Sequence, residues 1–96
     1  MANALVSIQI IPKTPNGEQV IPYVDRAIEI IQQSGVKHEV HPLETTMEGE
    51  LHELLSIIEQ MNKAMIEMGC PNVISQVKIY YNPEGASMDR LTEKYK

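Results

Sequence analysis

Alternating and helical hydrophobic patterns along the first third of the chain predict a strand followed by a helix. Residues 3–11 (NALVSIQII) alternate with a period of two, which is typical of a strand with one buried face. After the turn-forming stretch 14–17 (TPNG), apolar residues recur at helical spacing as far as Ser34-Gly35, where the helix is expected to end. The apolar stripe of this helix is Val20, Val24, Ala27, Ile28 and Ile31.

The middle of the chain predicts two short strands and a long helix. Residues 36–40 (VKHEV) alternate and form the second strand, and residues 43–48 (LETTME) form the third. His41-Pro42 forces an extended bend between them. A single apolar stripe at helical spacing then predicts a long helix. This helix begins at Glu50 and ends at Gly69. That stripe is Leu51, Leu54, Leu55, Ile58, Met61, Met65 and Met68.

The last quarter of the chain predicts one more strand and a short helix. Residues 72–81 (NVISQVKIYY) alternate again, and residues 87–95 place Leu91 and Tyr95 one helical turn apart. The order of the main elements is therefore strand, helix, strand, strand, helix, strand. Its compact solution is the ferredoxin-like βαββαβ sandwich of the α+β class, in which a four-stranded antiparallel sheet has two helices on one face. We expect residues 1–96 to form a single domain.

The face of the sheet without helices predicts self-association. It is expected to mix polar and apolar side chains and to be too apolar to be simply solvated. Pairing of this face, or of a sheet edge, between subunits would bury it, so we predict a homo-oligomer, either a dimer or a tetramer. The residues expected on this face include Ser7, Gln9, Gln76, Lys78 and Tyr80.

Composition and charge narrow the class of protein. The chain is 43% hydrophobic and 22% charged, as in ordinary globular proteins. Its net charge is −5 and its eight basic residues are scattered, which argues against nucleic acid as a partner. No run of about 18 apolar residues predicts a membrane span, and the N-terminal segment lacks the pattern of a signal peptide. With a single cysteine, Cys70, we expect a cytoplasmic protein.

Few side chains have the spacing that catalysis or metal binding requires. His38 and His41 lie three positions apart on an extended segment and would point to opposite faces, so we predict no metal and no cofactor. Cys70 follows the end of a helix, where the dipole raises the pKa of a thiol, and a buried structural role is favoured. The sequence contains no nucleophile-elbow pattern and no phosphate-binding glycine loop. These observations favour a binding protein over an enzyme.

The segment 44–50 (ETTMEGE) concentrates side chains that can bind a ligand. Hydroxyl groups can hydrogen-bond a ring substituent, a thioether can lie against a flat ring, and carboxylates can accept from an amino group or face a positive charge. The simpler interpretation is the polar face of a strand end followed by acidic residues that cap a helix. Composition alone favours this simpler interpretation.

Short motifs spread over nearly the whole chain point to one family. They are Ile11-Pro12, Ser34-Gly35-Val36, the Thr-x-x-Glu segment from Thr45 to Glu48, Glu53-Leu54-Leu55, Gly69 and Val77-Lys78-Ile79. Together, and above all through the Thr-x-x-Glu segment, they resemble the small stand-alone thiamine-binding proteins. The resemblance implies a ferredoxin-like fold, assembly into dimers or tetramers by sheet packing, and binding of thiamine or its hydroxymethylpyrimidine precursor.

The resemblance also implies which residues contact the ligand. Thr45 and Glu48 are the principal candidates, and two polar residues of the first strand are expected beside them because strands 1 and 3 are neighbours in the ferredoxin-like order. A regular strand would point Thr45 and Glu48 to opposite faces, so either a bulge re-aims one of them or Thr46 takes the place of Thr45. The candidate ligand-binding residues are Ser7, Gln9, Thr45, Thr46, Met47 and Glu48.

We therefore expect a non-catalytic protein that binds thiamine or its hydroxymethylpyrimidine precursor near a subunit interface. Two alternatives stay open. A small enzyme of the dimeric α+β barrel type would use the open sheet face as a reaction cavity, with His38 or His41 as acid or base. A structural interaction module would bind no small molecule.

Overall fold

The computed structural model describes residues 2–96 and contains the predicted elements in the predicted order. The predicted short C-terminal helix is among them, and two short 3-10 turns accompany them. The prediction of a ferredoxin-like α+β sandwich is confirmed. No helix within residues 2–96 is long and apolar enough to cross a membrane. The strands are β1 (Ala4–Pro12), β2 (Lys37–Val40), β3 (Thr45–Gly49) and β4 (Val73–Tyr81), and the helices are α1 (Ile21–Ser34), α2 (Leu51–Glu67) and α3 (Met88–Thr92).

The sheet has the strand order β2-β3-β1-β4, and every neighbouring pair is antiparallel. Pairing between β1 and β3 is continuous from Ala4 opposite Gly49 to Ile8 opposite Thr45, with no bulge. Because β1 is longer than β3, it pairs only with β4 from Gln9 onward. The last four residues of β1 therefore have one edge without a neighbouring strand.

The core lies between the sheet and the pair of long helices. Alternate residues of β1, such as Val6 and Ile8, face the helices and are buried. Met47 of β3 and Leu54 of α2 meet them there and are fully buried. Burial of a side chain of this size contributes about 1.5–3 kcal/mol, so this layer supplies most of the stabilising apolar contact.

The buried face of α2 is shifted from the predicted stripe. Ile57 and Ala64 are buried, whereas Leu55 and Met68, which the sequence pattern placed on the stripe, are exposed. A helix that is apolar on more than one side offers several stripes at 3.6-residue spacing. Packing against α1 and the sheet selects among them.

The second face of the sheet is partly covered by the chain itself, which corrects the expectation that it is left open. The segment that leads into α3 packs against the beginning of β1, where Leu5, Ala86 and Met88 form a small buried cluster. The opposite end of this face stays open. There the paired residues Ile11 and Ile74 are 42% and 64% exposed.

A candidate ligand site at the unpaired edge of the first strand

A cavity of about 370 Å³ lies where β1 loses β3 as a neighbour. The second half of β1, the first two turns of α1 and the 41–44 loop between β2 and β3 enclose it. Its volume is in the range of sites that hold small molecules. The polar side chains around it are Gln9, Asp25, His41, Glu44 and Thr45, and its apolar walls include Ile8, Ile10, Val24, Ile28 and Met61.

The local sequence explains why the cavity forms at this position. His41 and Pro42 turn the chain away from the sheet, and the His41 N–H closes the turn by donating to the Glu44 carbonyl at 2.9 Å. Because of this turn, β3 begins only at Thr45, which pairs with Ile8. The last four residues of β1 therefore have no partner in β3. The start of α1 lies over the gap but does not fill it, and Val20 and Ile21 at its entrance stay 43% and 63% exposed.

Glu44 gives the cavity mouth negative charge. The nearby Ser7 hydroxyl has the largest influence on this carboxylate and lowers its pKa. Partial burial opposes that effect, and the Lys78 ammonium, 3.5 Å from Glu44 Oε1, supports it. Ser7 Oγ is buried and has no hydrogen bond of ordinary geometry within the described residues. The exposed Asp25 also lines the cavity, so a second acidic side chain borders it.

Regular pairing of β3 divides the predicted site residues between two faces of the sheet. Thr45 and Met47 face the helices, whereas Thr46 and Glu48 face the other side. Thr45 is buried and lines the cavity, but Met47 is fully buried in the core. The expected convergence of Thr45 and Glu48 on one face does not occur, because no bulge re-aims either residue.

The other predicted residues lie on the second face. Ser7 sits at its centre, opposite Thr46 on β3 and Lys78 on β4. Gln9 is the next residue of β1 on this face and borders both the cavity and a second pocket of about 180 Å³. Glu44 also borders both. These two residues therefore connect the cavity to the second face of the sheet.

Glu48 is engaged by the C-terminal part of the chain. Its Oε1 accepts a hydrogen bond from the Met88 N–H at 2.8 Å. Met88 is the first residue of α3, and an ion pair between Lys37 and Asp89 also joins α3 to β2. Glu48 is thus located under α3, at the opposite end of β3 from the cavity.

Two residues of the cavity are not singled out by the sequence analysis. Glu44 alternates with Thr46 and Glu48, and this spacing was a usable signal that all three share a face. Asp25 offers no such signal. Its place at the mouth depends on how the start of α1 packs against the end of β1.

The fold and the cavity together define a small ferredoxin-like protein with a cavity of small-molecule size. The family model described as thiamine-binding protein matches residues 6–96, and the chain belongs to that family. The resemblance found in the sequence motifs is thereby confirmed. UPF0045 protein CPE1503 of Clostridium perfringens is 44% identical over 91 residues, covering 95% of each chain. UPF0045 protein YqgV of Bacillus subtilis is 29% identical over 80 residues, covering 79% of this chain and 77% of the relative.

Solved structures share the fold over almost the entire chain. A domain of unknown function, DUF77, from Bacillus cereus superimposes with a TM-score of 0.91 at 38% identity and covers 100% of this chain and 93% of its own. A Thermotoga maritima protein, described as a candidate thiamine biosynthesis/salvage protein, superimposes with a TM-score of 0.87 at 30% identity. That alignment covers 98% of this chain and 99% of the other.

Proposed function

We propose that this protein binds thiamine or its hydroxymethylpyrimidine precursor, without converting it, in the cavity at the end of β1. The observation that carries the proposal is a cavity of about 370 Å³ with aliphatic walls and a carboxylate mouth in a chain of the thiamine-binding family. Thiamine joins a flat aminopyrimidine to a cationic thiazolium ring. The aliphatic walls of the cavity suit the flat pyrimidine, and the carboxylates at its mouth suit the cationic thiazolium.

Each part of the ligand has a partner in this arrangement. Ile10, Val24 and other aliphatic side chains would hold the pyrimidine ring, and the Thr45 hydroxyl offers it a hydrogen bond. The Asp25 and Glu44 carboxylates at the mouth would face the thiazolium. This assignment keeps Thr45 and Gln9 as site residues and adds two carboxylates to them.

The proposed assembly is a homo-oligomer built on the second face of the sheet, with the ligand site beside the interface. Apolar side chains support this proposal, because Ile11, Ile74 and Tyr80 are 42%, 64% and 45% exposed. Gln9 and Glu44 border both this face and the cavity, so a second subunit placed there would lie against the mouth. Sedimentation at tens of micromolar tests the assembly, and a monomer at that concentration contradicts it.

Thermal unfolding in the presence of thiamine, thiamine phosphates and the bare aminopyrimidine tests the binding function. A ligand at about 100 times its Kd stabilises the folded protein by about 2.7 kcal/mol, which raises Tm by several degrees in a domain of this size.

Mass spectrometry of the recovered ligand then separates the three functional alternatives. Intact thiamine supports a binding protein, a converted product supports the barrel-type enzyme with His41 beside the site, and no shift with any compound supports an interaction module.

A further inference from the structure

The cavity runs along the free edge of β1. It touches four consecutive residues, from Ile8 to Ile11. Their side chains alternate between the two faces of the sheet, so a space that touches all four lies beside the strand rather than on one face. β3 would occupy this position if it continued past Thr45. The 41–44 loop stands there instead.

The backbone groups of Ile10 point toward this space. In an antiparallel strand, the N–H and C=O of successive residues point to opposite edges. The Lys13 N–H donates to the Asn72 carbonyl at 3.1 Å, so the odd-numbered residues of β1 point to β4. The N–H and C=O of Ile10 therefore point the other way, toward the 41–44 loop. Within residues 2–96, no backbone hydrogen bond joins Ile10 to this loop.

The free edge presents a simple hydrogen-bonding pattern. Pro12 is the next residue that points the same way, and proline has no N–H. Among the four residues of β1 beyond β3, Ile10 therefore supplies the one donor on this edge, next to its own carbonyl acceptor. Ile10 is only 9% exposed, and an unpaired donor and acceptor in such a position favour a ligand that satisfies both.

We propose that the Ile10 backbone recognises the hydrogen-bonding edge of an aminopyrimidine. The N–H donates to a ring nitrogen, and the carbonyl accepts from the adjacent exocyclic amino group, as a neighbouring strand would pair with this edge. This inference rests on the proposed function and deepens it, because it assigns the specificity of the site to the backbone. An oxo group in place of the amino group reverses the donor and the acceptor, so both hydrogen bonds are lost.

Calorimetric titration of the wild-type protein with thiamine and with oxythiamine, its 4-oxo analogue, tests this specificity. We expect oxythiamine to bind at least about tenfold more weakly, since the site would face it with two mismatched polar groups. Equal affinities would overturn the assignment to Ile10 while leaving the proposed function intact. Failure of thiamine, oxythiamine and the bare aminopyrimidine to bind would defeat the proposed function and this inference with it.

Amide hydrogen exchange measured by NMR on protein labelled with ¹⁵N-isoleucine locates the recognising group. The Ile10 N–H should become protected at saturating thiamine. Ile79 provides a matched control, because the same alternation points its N–H to the outer edge of β4, and its exchange should not change. Unchanged exchange at Ile10 would overturn the inference even if the two ligands differ in affinity.

Discussion

The carboxylate of Glu48 accepts a 2.8 Å hydrogen bond from the backbone N–H of Met88 and thereby joins β3 to α3 across the second face of the sheet. Met88 is the first residue of α3, where backbone N–H groups have no partner within the helix. The side chain of Ser87 accepts from the Arg90 N–H in the same turn. Glu48 therefore has a role in the folded chain that needs no ligand.

Replacement of Glu48 by alanine should loosen α3 without affecting the ligand site. The loss of its hydrogen bond to Met88 is expected to reduce the free energy of unfolding by about 1 kcal/mol, and hydrogen exchange should become faster at residues 88–92. Denaturant unfolding and amide exchange measure both effects. Glu84→Ala, a change at an exposed acidic residue just before α3, is the control. A large fall in thiamine affinity for Glu48→Ala alone would return Glu48 to the binding site.

The adjacent residues Thr45 and Thr46 offer a test of which face binds the ligand. Thr45→Val keeps the shape of the side chain but removes a hydroxyl from the cavity, and we expect thiamine affinity to fall about fivefold, the loss of roughly one hydrogen bond. Thr46→Val makes the same chemical change on the opposite face and should leave affinity within about twofold. Isothermal titration of both variants is the measurement. The reverse order of effects would place the ligand on the second face.

Glu44 should select for the charge of the ligand. Glu44→Gln removes one carboxylate from the cavity mouth, and because this group is partly exposed, thiamine affinity should fall only about two- to fivefold. The uncharged hydroxymethylpyrimidine should bind the variant and the wild type equally, and the effect on thiamine should fade at high salt. Glu67→Gln, at the exposed end of α2, is the matched control. Equal weakening of both ligands would contradict a charge effect.

Tyr23 should titrate far above the ordinary range of a phenol. Its Oη donates to Glu18 Oε1 at 2.7 Å, and this hydrogen bond, followed by burial and the Glu18 charge, raises the pKa of Tyr23 to about 12. The wild-type minus Tyr23→Phe difference in ultraviolet absorbance should therefore show a phenolate transition near pH 12. A transition at or below pH 10 would show that the hydrogen bond to Glu18 does not form.

The same shift fixes the sign of a pH effect on stability. A pKa that is higher in the folded state than the ordinary phenol value of 10.0 means that the folded protein favours the protonated phenol. The stabilisation from the Tyr23 hydroxyl is therefore complete below about pH 10 and is lost as the pH rises toward 12. The difference in unfolding free energy between wild type and Tyr23→Phe should shrink across that interval and stay constant from pH 7 to 9.

The fold and much of the secondary structure were determined by local sequence patterns. Alternation in 3–11 and 72–81 defined the two long strands, and the apolar repeats with their glycine stops defined both long helices. These signals are readable because a strand and a helix each impose a fixed period on the side chains that they bury. The Thr-x-x-Glu segment and the other short motifs also led to the correct family.

Tertiary structure alone decided where a ligand can bind. The cavity exists because β1 extends past Ile8, where its pairing with β3 ends, and because the start of α1 lies over the gap. The position of Glu48 beneath α3 likewise depends on a contact with Met88, forty positions away. A sequence pattern reports the period of one element, whereas the space between elements is set by their relative lengths and packing, which no local period records.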